Sequence, residues 1–270
     1  MKKIIISLLL TFGLCNGFIF NANANDKTNL QYEISCKAGD LESCDELAYR
    51  YQEGSDGLPK DSVKAMALYK QACDANYGLS CSNLGYMYQN SDDVQHDIDK
   101  TVELYKKSCD LGDSTGCNNL AYLYDIGEGV EQDKVKAFQL YKLSCDKDDD
   151  VGCYNLADMY QSGEGTEQNY QIANKLYTQA CKNQDASSCN NLGYLYDEGL
   201  GVTQNHNKAA FYYKMACDLD ESIACYNLAV MYEEGSGVQK NTKMSKTLYK
   251  KACELGDNDS CEAYKDLLNY

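Results

Sequence analysis

Cys117-Asn118-Asn119-Leu120-Ala121-Tyr122-Leu123-Tyr124 returns 36 positions later as Cys153-Tyr154-Asn155-Leu156-Ala157-Asp158-Met159-Tyr160. It returns again, after another 36, as Cys189-Asn190-Asn191-Leu192-Gly193-Tyr194-Leu195-Tyr196. Residues 83–88 and 227–232 carry the same frame. Leu, a small residue, Met or Leu, and Tyr recur at i, i+1, i+3 and i+4, which is one face of a helix. A period of this length kept over many units means a repeat array rather than a single globular core. The helix, A, is followed by glycines in most units, Gly127, Gly163, Gly199 and Gly235, then Gly129, Gly165, Gly201 and Gly237. Glycine just past the last periodic residue is a helix-stop and turn signal.

A second helix, B, fills the rest of each unit. Ala137, Leu140, Tyr141, Ser144 and Cys145 form an apolar stripe at helical spacing, as do Ala173, Leu176, Tyr177, Ala180 and Cys181. Asp133, Asn169, Asn205 and Asn241 lie just upstream, where a cap or first-turn residue belongs. The one proline, Pro59, falls in the first A–B loop. Six A–B units therefore fit between 44 and 253, preceded by a B-like half-unit at 27–43 and closed by a capping helix at 261–270. No helix pair can bury its own stripe, so neighbouring pairs must cover one another. The unit beginning at Cys81 has Asn90-Ser91-Asp92-Asp93 in place of the glycines, so its loop is expected to differ.

The cysteines keep the same time. Beyond Cys15 they fall at 36/44, 73/81, 109/117, 145/153, 181/189, 217/225 and 253/261, each pair eight apart. The first step between pairs is 37 rather than 36, an extra residue placed near Gly57-Leu58-Pro59. No Cys-x2-Cys occurs, which leaves neither a zinc knuckle nor a redox dithiol, and no metal or cofactor is expected.

The run Asn-Leu-Gly-x-Leu-Tyr, Gly-x-Gly-Val, Asp or Asn, and Leu-Tyr-Lys-x-Ala/Ser-Cys resembles the Sel-one-like repeat (SLR) family, relatives of tetratricopeptide repeats. With Cys-x7-Cys in every unit it is similar to the Helicobacter-type cysteine-rich proteins. The resemblance covers about 27–270. It implies an all-α, right-handed solenoid of antiparallel helix pairs, with one disulfide per repeat and helix A lining the concave side. It favours, as does the regular spacing, the pairs Cys36–Cys44, Cys73–Cys81, Cys109–Cys117, Cys145–Cys153, Cys181–Cys189, Cys217–Cys225 and Cys253–Cys261. Each would staple a seven-residue helix–helix turn such as 146–152. Pairing across one A–B unit, such as Cys44 with Cys73, stays open.

On helix A, Asn83, Asn119, Asn155, Asn191 and Asn227 form a ladder, one rung per unit. Asn is a mediocre helix former. Its amide either offers hydrogen bonds to an extended peptide or ties adjacent repeats together, and both readings stand. The position three further on varies: Tyr86, Tyr122, Asp158, Tyr194, Val230. A variable position on a fixed frame is where specificity is written, and tyrosine suits an interface. Tyr88, Tyr124, Tyr160, Tyr196 and Tyr232 recur without exception and read as core.

The resembling family also carries β-lactamase and penicillin-binding activity, the alternative to a scaffold. One Ser-x-x-Lys occurs, Ser144 to Lys147, without Ser-Asp-Asn or Lys-Thr-Gly. The two histidines, His96 and His206, lie in polar stretches and build no triad.

Lys2 and Lys3, an apolar run from Ile4 to about Leu14, and an end at Ala22-Asn23-Ala24 read as a secretory signal at 1–24. Cys15 is not read as a lipid-attachment site, because Leu14 stands where a small residue is needed. Cleavage leaves an even cysteine count, the mark of a disulfide framework in an exported chain. It also deepens the net charge of −16 by two. Acidity of this size excludes nucleic acid and anionic lipid as partners and is read as a solubility device. The expectation is a periplasmic or secreted monomer, without membrane insertion after cleavage, that binds a peptide or protein ligand.

Overall fold

The computed structural model describes residues 28–268. The expected signal at 1–24 therefore lies outside the described residues, as do 269 and 270. Among the described residues the chain is all helix: 14 helices and no strand. The A helices are α2 (Leu41–Glu53), α4 (Gly78–Asn90), α6 (Ser114–Ile126), α8 (Asp150–Ser162), α10 (Ala186–Glu198) and α12 (Ser222–Glu234). The B helices are α3 (Ser62–Asp74), α5 (Ile98–Asp110), α7 (Lys134–Cys145), α9 (Tyr170–Lys182), α11 (His206–Asp218) and α13 (Thr242–Glu254). α1 (Asn29–Lys37) precedes the six pairs and α14 (Asn258–Asp266) follows them.

The starts of the B helices follow from their caps. The side chains of Asp61, Asp97, Asp133, Asn169, Asn205 and Asn241 each accept from the backbone N–H three residues on. Each cap's own N–H donates back to the carbonyl of the recurrent tyrosine of helix A, as Asn169 does to Tyr160 at 2.7 Å. That bond closes the A–B loop. The unit with Asn90-Ser91 differs at this place. Ser91 is extended at φ −83°, ψ 123°, where the five other A helices end on a left-handed glycine. Asp93 of this loop reaches back to Lys60 at 2.8 Å.

The A helices begin earlier than the cysteine frame implies. α6, α8 and α10 start three residues before their cysteine, at Ser114, Asp150 and Ala186. Asp113, Asp149 and Asp185 cap them through their side chains. The turn is therefore only the few residues around Gly112 or Asp148, not all seven between the cysteines. For the same reason α14 starts at Asn258 rather than 261, and 41–43 belong to α2.

Seven disulfides close these turns, one between each pair of cysteines eight apart, with Cα–Cα distances of 4.4 to 4.8 Å. Close approach of the two helices demands small residues beside each bridge. Ser108 packs on Gly116 and Ser144 on Gly152, where a Cβ would overlap the serine side chain. At the same two positions other repeats carry Ala72 with Ser80, Ala180 with Ser188, and Ala252 with Ser260. In these five hairpins a serine on one helix is matched by a smaller residue on the other.

The core tyrosines come from helix B. Tyr69, Tyr105, Tyr141, Tyr177, Tyr213 and Tyr249 are between 0% and 4% exposed. The recurrent helix-A tyrosines expected in the core, Tyr88, Tyr124, Tyr160, Tyr196 and Tyr232, are only half-buried. They stand at the A–B seam near the loop, where a lysine of the next helix lies over the rings of Tyr88, Tyr124 and Tyr196. Lys136 sits 4.0 Å from the Tyr124 centroid and Lys208 4.6 Å from that of Tyr196.

Candidate functional site

α4 packs directly on α6, and α6 on α8, whereas successive B helices make no comparable contact. In the middle repeats it is thus the helix-A side through which successive units touch. Two rows of side chains run across that side, one from the ladder position and one from three residues beyond it.

The ladder is built into the frame. Asn155 donates its amide N–H to Asn118 Oδ1 at 2.9 Å, and Asn227 donates to Asn190 Oδ1 at 3.2 Å. Asn83 donates to Asp45 Oδ1 at 3.1 Å, beside a second donor, Ser80, at 2.6 Å. The acceptor in each case is the residue just before the ladder position of the preceding unit. Asn118 and Asn190 in turn donate to Asn119 and Asn191, at 3.3 and 3.4 Å. Burial raises the Asp45 carboxyl above the usual range, while the bonds from Ser80 and Asn83 pull it back. In the other repeats the acceptor position holds Ser82, or Tyr154 and Tyr226, which tilt against Tyr177 and Tyr249 with centroids 6.0 and 5.6 Å apart. Sequence reasoning missed these acceptors. Their signal is the alternation Asn118, Tyr154, Asn190, Tyr226 next to the ladder.

The second row is open. Tyr86, Tyr122 and Tyr194 are 49%, 47% and 43% exposed, and Tyr49 continues the line at 50%. Asp158 is exposed and Val230 half-buried. Partial burial raises the Asp158 carboxyl, and the charges of Glu164 and Asp125 raise it further; Lys134 opposes them. A depression of about 790 Å³ lies elsewhere, along the A–B loop between Tyr124, Val130 and Gly165. Its polar walls are already engaged, since Asp133 caps α7 and Lys134 bridges Asp125 and Glu164.

The six consecutive segments 41–77, 78–113, 114–149, 151–185, 186–221 and 222–257 each match the Sel1 repeat family model. The chain belongs to the Sel1 repeat family. As a Sel1 solenoid it superposes on a protective antigen of uropathogenic Escherichia coli displaying an SLR fold, with TM-score 0.78 and 29% identity. That match covers 87% of this chain and 50% of the other. Helicobacter pylori cysteine rich protein B is 33% identical over 51% of this chain and 98% of its own; the partial superposition, TM-score 0.40, adds nothing to the fold assignment. Cytochrome c oxidase assembly factor 7A of Xenopus laevis is 33% identical over 63 residues, 23% of this chain. The chain thus spans about a quarter of that curated relative's length, 27%.

The β-lactam alternative finds no support. Ser144 is fully buried, and its hydroxyl lies 3.0 Å from the Ser114 carbonyl and 2.6 Å from an Asp149 carboxylate oxygen. Lys147 donates outward, to the Gly112 carbonyl of the preceding repeat at 2.5 Å. A nucleophile needs access and a base within reach, and this serine is a hairpin-packing residue, as Ser108 is. His206 pairs with Asp197 at 2.7 Å, near the start of α11 and away from Ser144 in the stack. Among the described residues no group of three or more His, Cys, Asp or Glu could hold a metal.

Proposed function

We propose that this chain is an exported scaffold, periplasmic or secreted, that holds a peptide or protein segment along its helix-A face. One observation carries the reading. The frame consumes its own polar groups rung by rung, yet the row Tyr86, Tyr122 and Tyr194 stays nearly half exposed with no packing task in the array. Tyrosine offers large rigid area and a hydrogen-bonding tip at small entropic cost, which is why it dominates binding surfaces. Asn119 and Asn191 lie one helical turn before row positions, their amide oxygens accepting from Asn118 and Asn190. Export accords with seven disulfides, which persist in oxidising compartments. It accords also with the signal read at 1–24. No helix among the described residues is long and apolar enough to cross a membrane. The scaffold acts as a monomer in this reading.

Peptides selected from a random display library on the oxidised protein should bind through the row. Tyr86→Ala, Tyr122→Ala and Tyr194→Ala combined are expected to weaken them at least about tenfold, since buried interface tyrosines each carry on the order of 1 kcal/mol or more. The thermal midpoint should hardly move, because the row supports no core. Affinity that survives the triple change would remove the tyrosines, and with them this face, from the binding site.

A further inference from the structure

The tyrosine row is interrupted once in its middle, at Asp158, with Tyr122 on the helix before it and Tyr194 on the helix after. Three observations make this interruption specific. Among the described residues no lysine, arginine or histidine comes within ion-pair distance of Asp158. The nearby cation, Lys134, is engaged at 2.7 Å by both Asp125 and Glu164. Two carboxylates therefore hold the one ammonium, and Asp158 is left without it. Beneath it, Tyr177 is 0% exposed and its hydroxyl completes no hydrogen bond, a costly state for a buried polar group. Asp158 and Asn191 are the polar side chains that act on this hydroxyl, so the unsatisfied group lies toward the interruption in the row. Finally, Asp158 is itself exposed, and Tyr122 and Tyr194 at the same helix position of the flanking repeats are 47% and 43% exposed.

We propose that the helix-A face selects a segment with a lysine or arginine seated on Asp158, flanked by apolar or aromatic side chains resting on Tyr122 and Tyr194. The inference rests on the scaffold reading above and deepens it to the chemistry of the partner. The overall acidity of the chain does not carry it, since that field is spread over 41 acidic residues. The local arrangement does: an accessible carboxylate, crowded by two others and partly desolvated, gains most from a cation that water is not shielding. Packed helices lie about 10 Å apart and an extended chain rises about 3.3 Å per residue, so each rung takes roughly three residues. The recognised pattern is then an apolar residue, two of any kind, a basic residue, two of any kind, and an apolar residue.

The test is one random 12-residue peptide display library selected in parallel on the oxidised wild type, Asp158→Asn, and the triple tyrosine variant. Wild type should enrich Lys or Arg at this spacing, and Asp158→Asn should lose that enrichment while still capturing peptides. For one selected arginine peptide, citrulline in place of arginine should cost about tenfold in affinity on wild type and almost nothing on Asp158→Asn, the size of one charge-assisted hydrogen-bonded pair. Basic enrichment that persists on Asp158→Asn would reveal general attraction to an acidic chain and overturn the proposal. Capture that needs the tyrosines but shows no basic preference overturns it too, and leaves the binding face standing. Capture indifferent to the tyrosines overturns both.

Discussion

Gly165→Ala is expected to destabilise the array by about 3 kcal/mol or more, combining a left-handed backbone that L-residues resist with overpacking. Gly165 has φ +68°, and a Cβ there would drive into the Lys134 carbonyl and the adjoining peptide. Both partners are backbone, at the start of α7, so no side chain can swing aside. The neighbouring Gly163 is the control. It too is left-handed, at φ +80°, but its Cβ would come no closer than 3.2 Å to Gln168, a contact that a shift of a few tenths of an ångström relieves. Gly163→Ala should therefore cost only about 1–2 kcal/mol, the backbone part alone. The two first glycines of the loop differ in role: one ends a helix, the other lets the loop lie against the preceding repeat. Urea unfolding of both variants would separate them. Equal losses would mean that the second glycine serves the turn and not the stacking of repeats.

The second large effect is redox. Each staple closes a loop of about eight residues, for which the chain-entropy relation gives about 2.5 kcal/mol at 25 °C. Even if seven such contributions add only in part, full reduction should lower the thermal midpoint by more than about 20 °C. The oxidised mature protein should show no thiol open to alkylation in its intact mass. Two or more alkylated cysteines before reduction, or a midpoint that a phosphine reductant leaves in place, would contradict the stapled array. The expected fall is steep because repeats touch only their neighbours, so each hairpin must hold its shape with little long-range support.

Most of the architecture is legible because the repeat states it many times over. The helix-A frame, the helix-B stripe and the capping residues Asp133, Asn169, Asn205 and Asn241 each mark a boundary by residue type, and the structure uses them as caps. The staple turn is harder to read. Every one of these turns has a left-handed residue, but the position is held by Gly39, Asn76, Gly112, Asp148, Gln184, Asp220 and Gly256. Four residue types fill one conformation, so no glycine signal repeats there, and the aspartates that cap helix A look like ordinary loop acids. The sequence points to helix A for the core tyrosine because Tyr124 and its counterparts recur in every unit. Their place is the seam with the next helix, where each carbonyl accepts from the helix-B cap, while Tyr141 and its counterparts fill the interior.

The binding face is legible in a similarly partial way. That the residue three past the ladder varies can be seen in the sequence, and so can Asp158 among the tyrosines. That Asn155 and Asn227 donate to the preceding repeat cannot, because the acceptors Asn118 and Asn190 sit in another unit and alternate with tyrosine. Nor does the sequence show that Lys134 is committed elsewhere, which is what leaves Asp158 free to act on a partner.

Site-specific photocrosslinking tests the central claim most directly. A benzophenone side chain placed in turn at Tyr86, Tyr122 and Tyr194 would be compared with the same group at Val135 and Phe211. The latter two are apolar helix-B residues, 55% and 58% exposed, that match the tyrosines in accessibility. With a library-selected peptide bound, adducts should form from the three helix-A positions and not from the two on helix B. Equal yields from both sets, or adducts from helix B alone, would contradict a scaffold that works through its helix-A face.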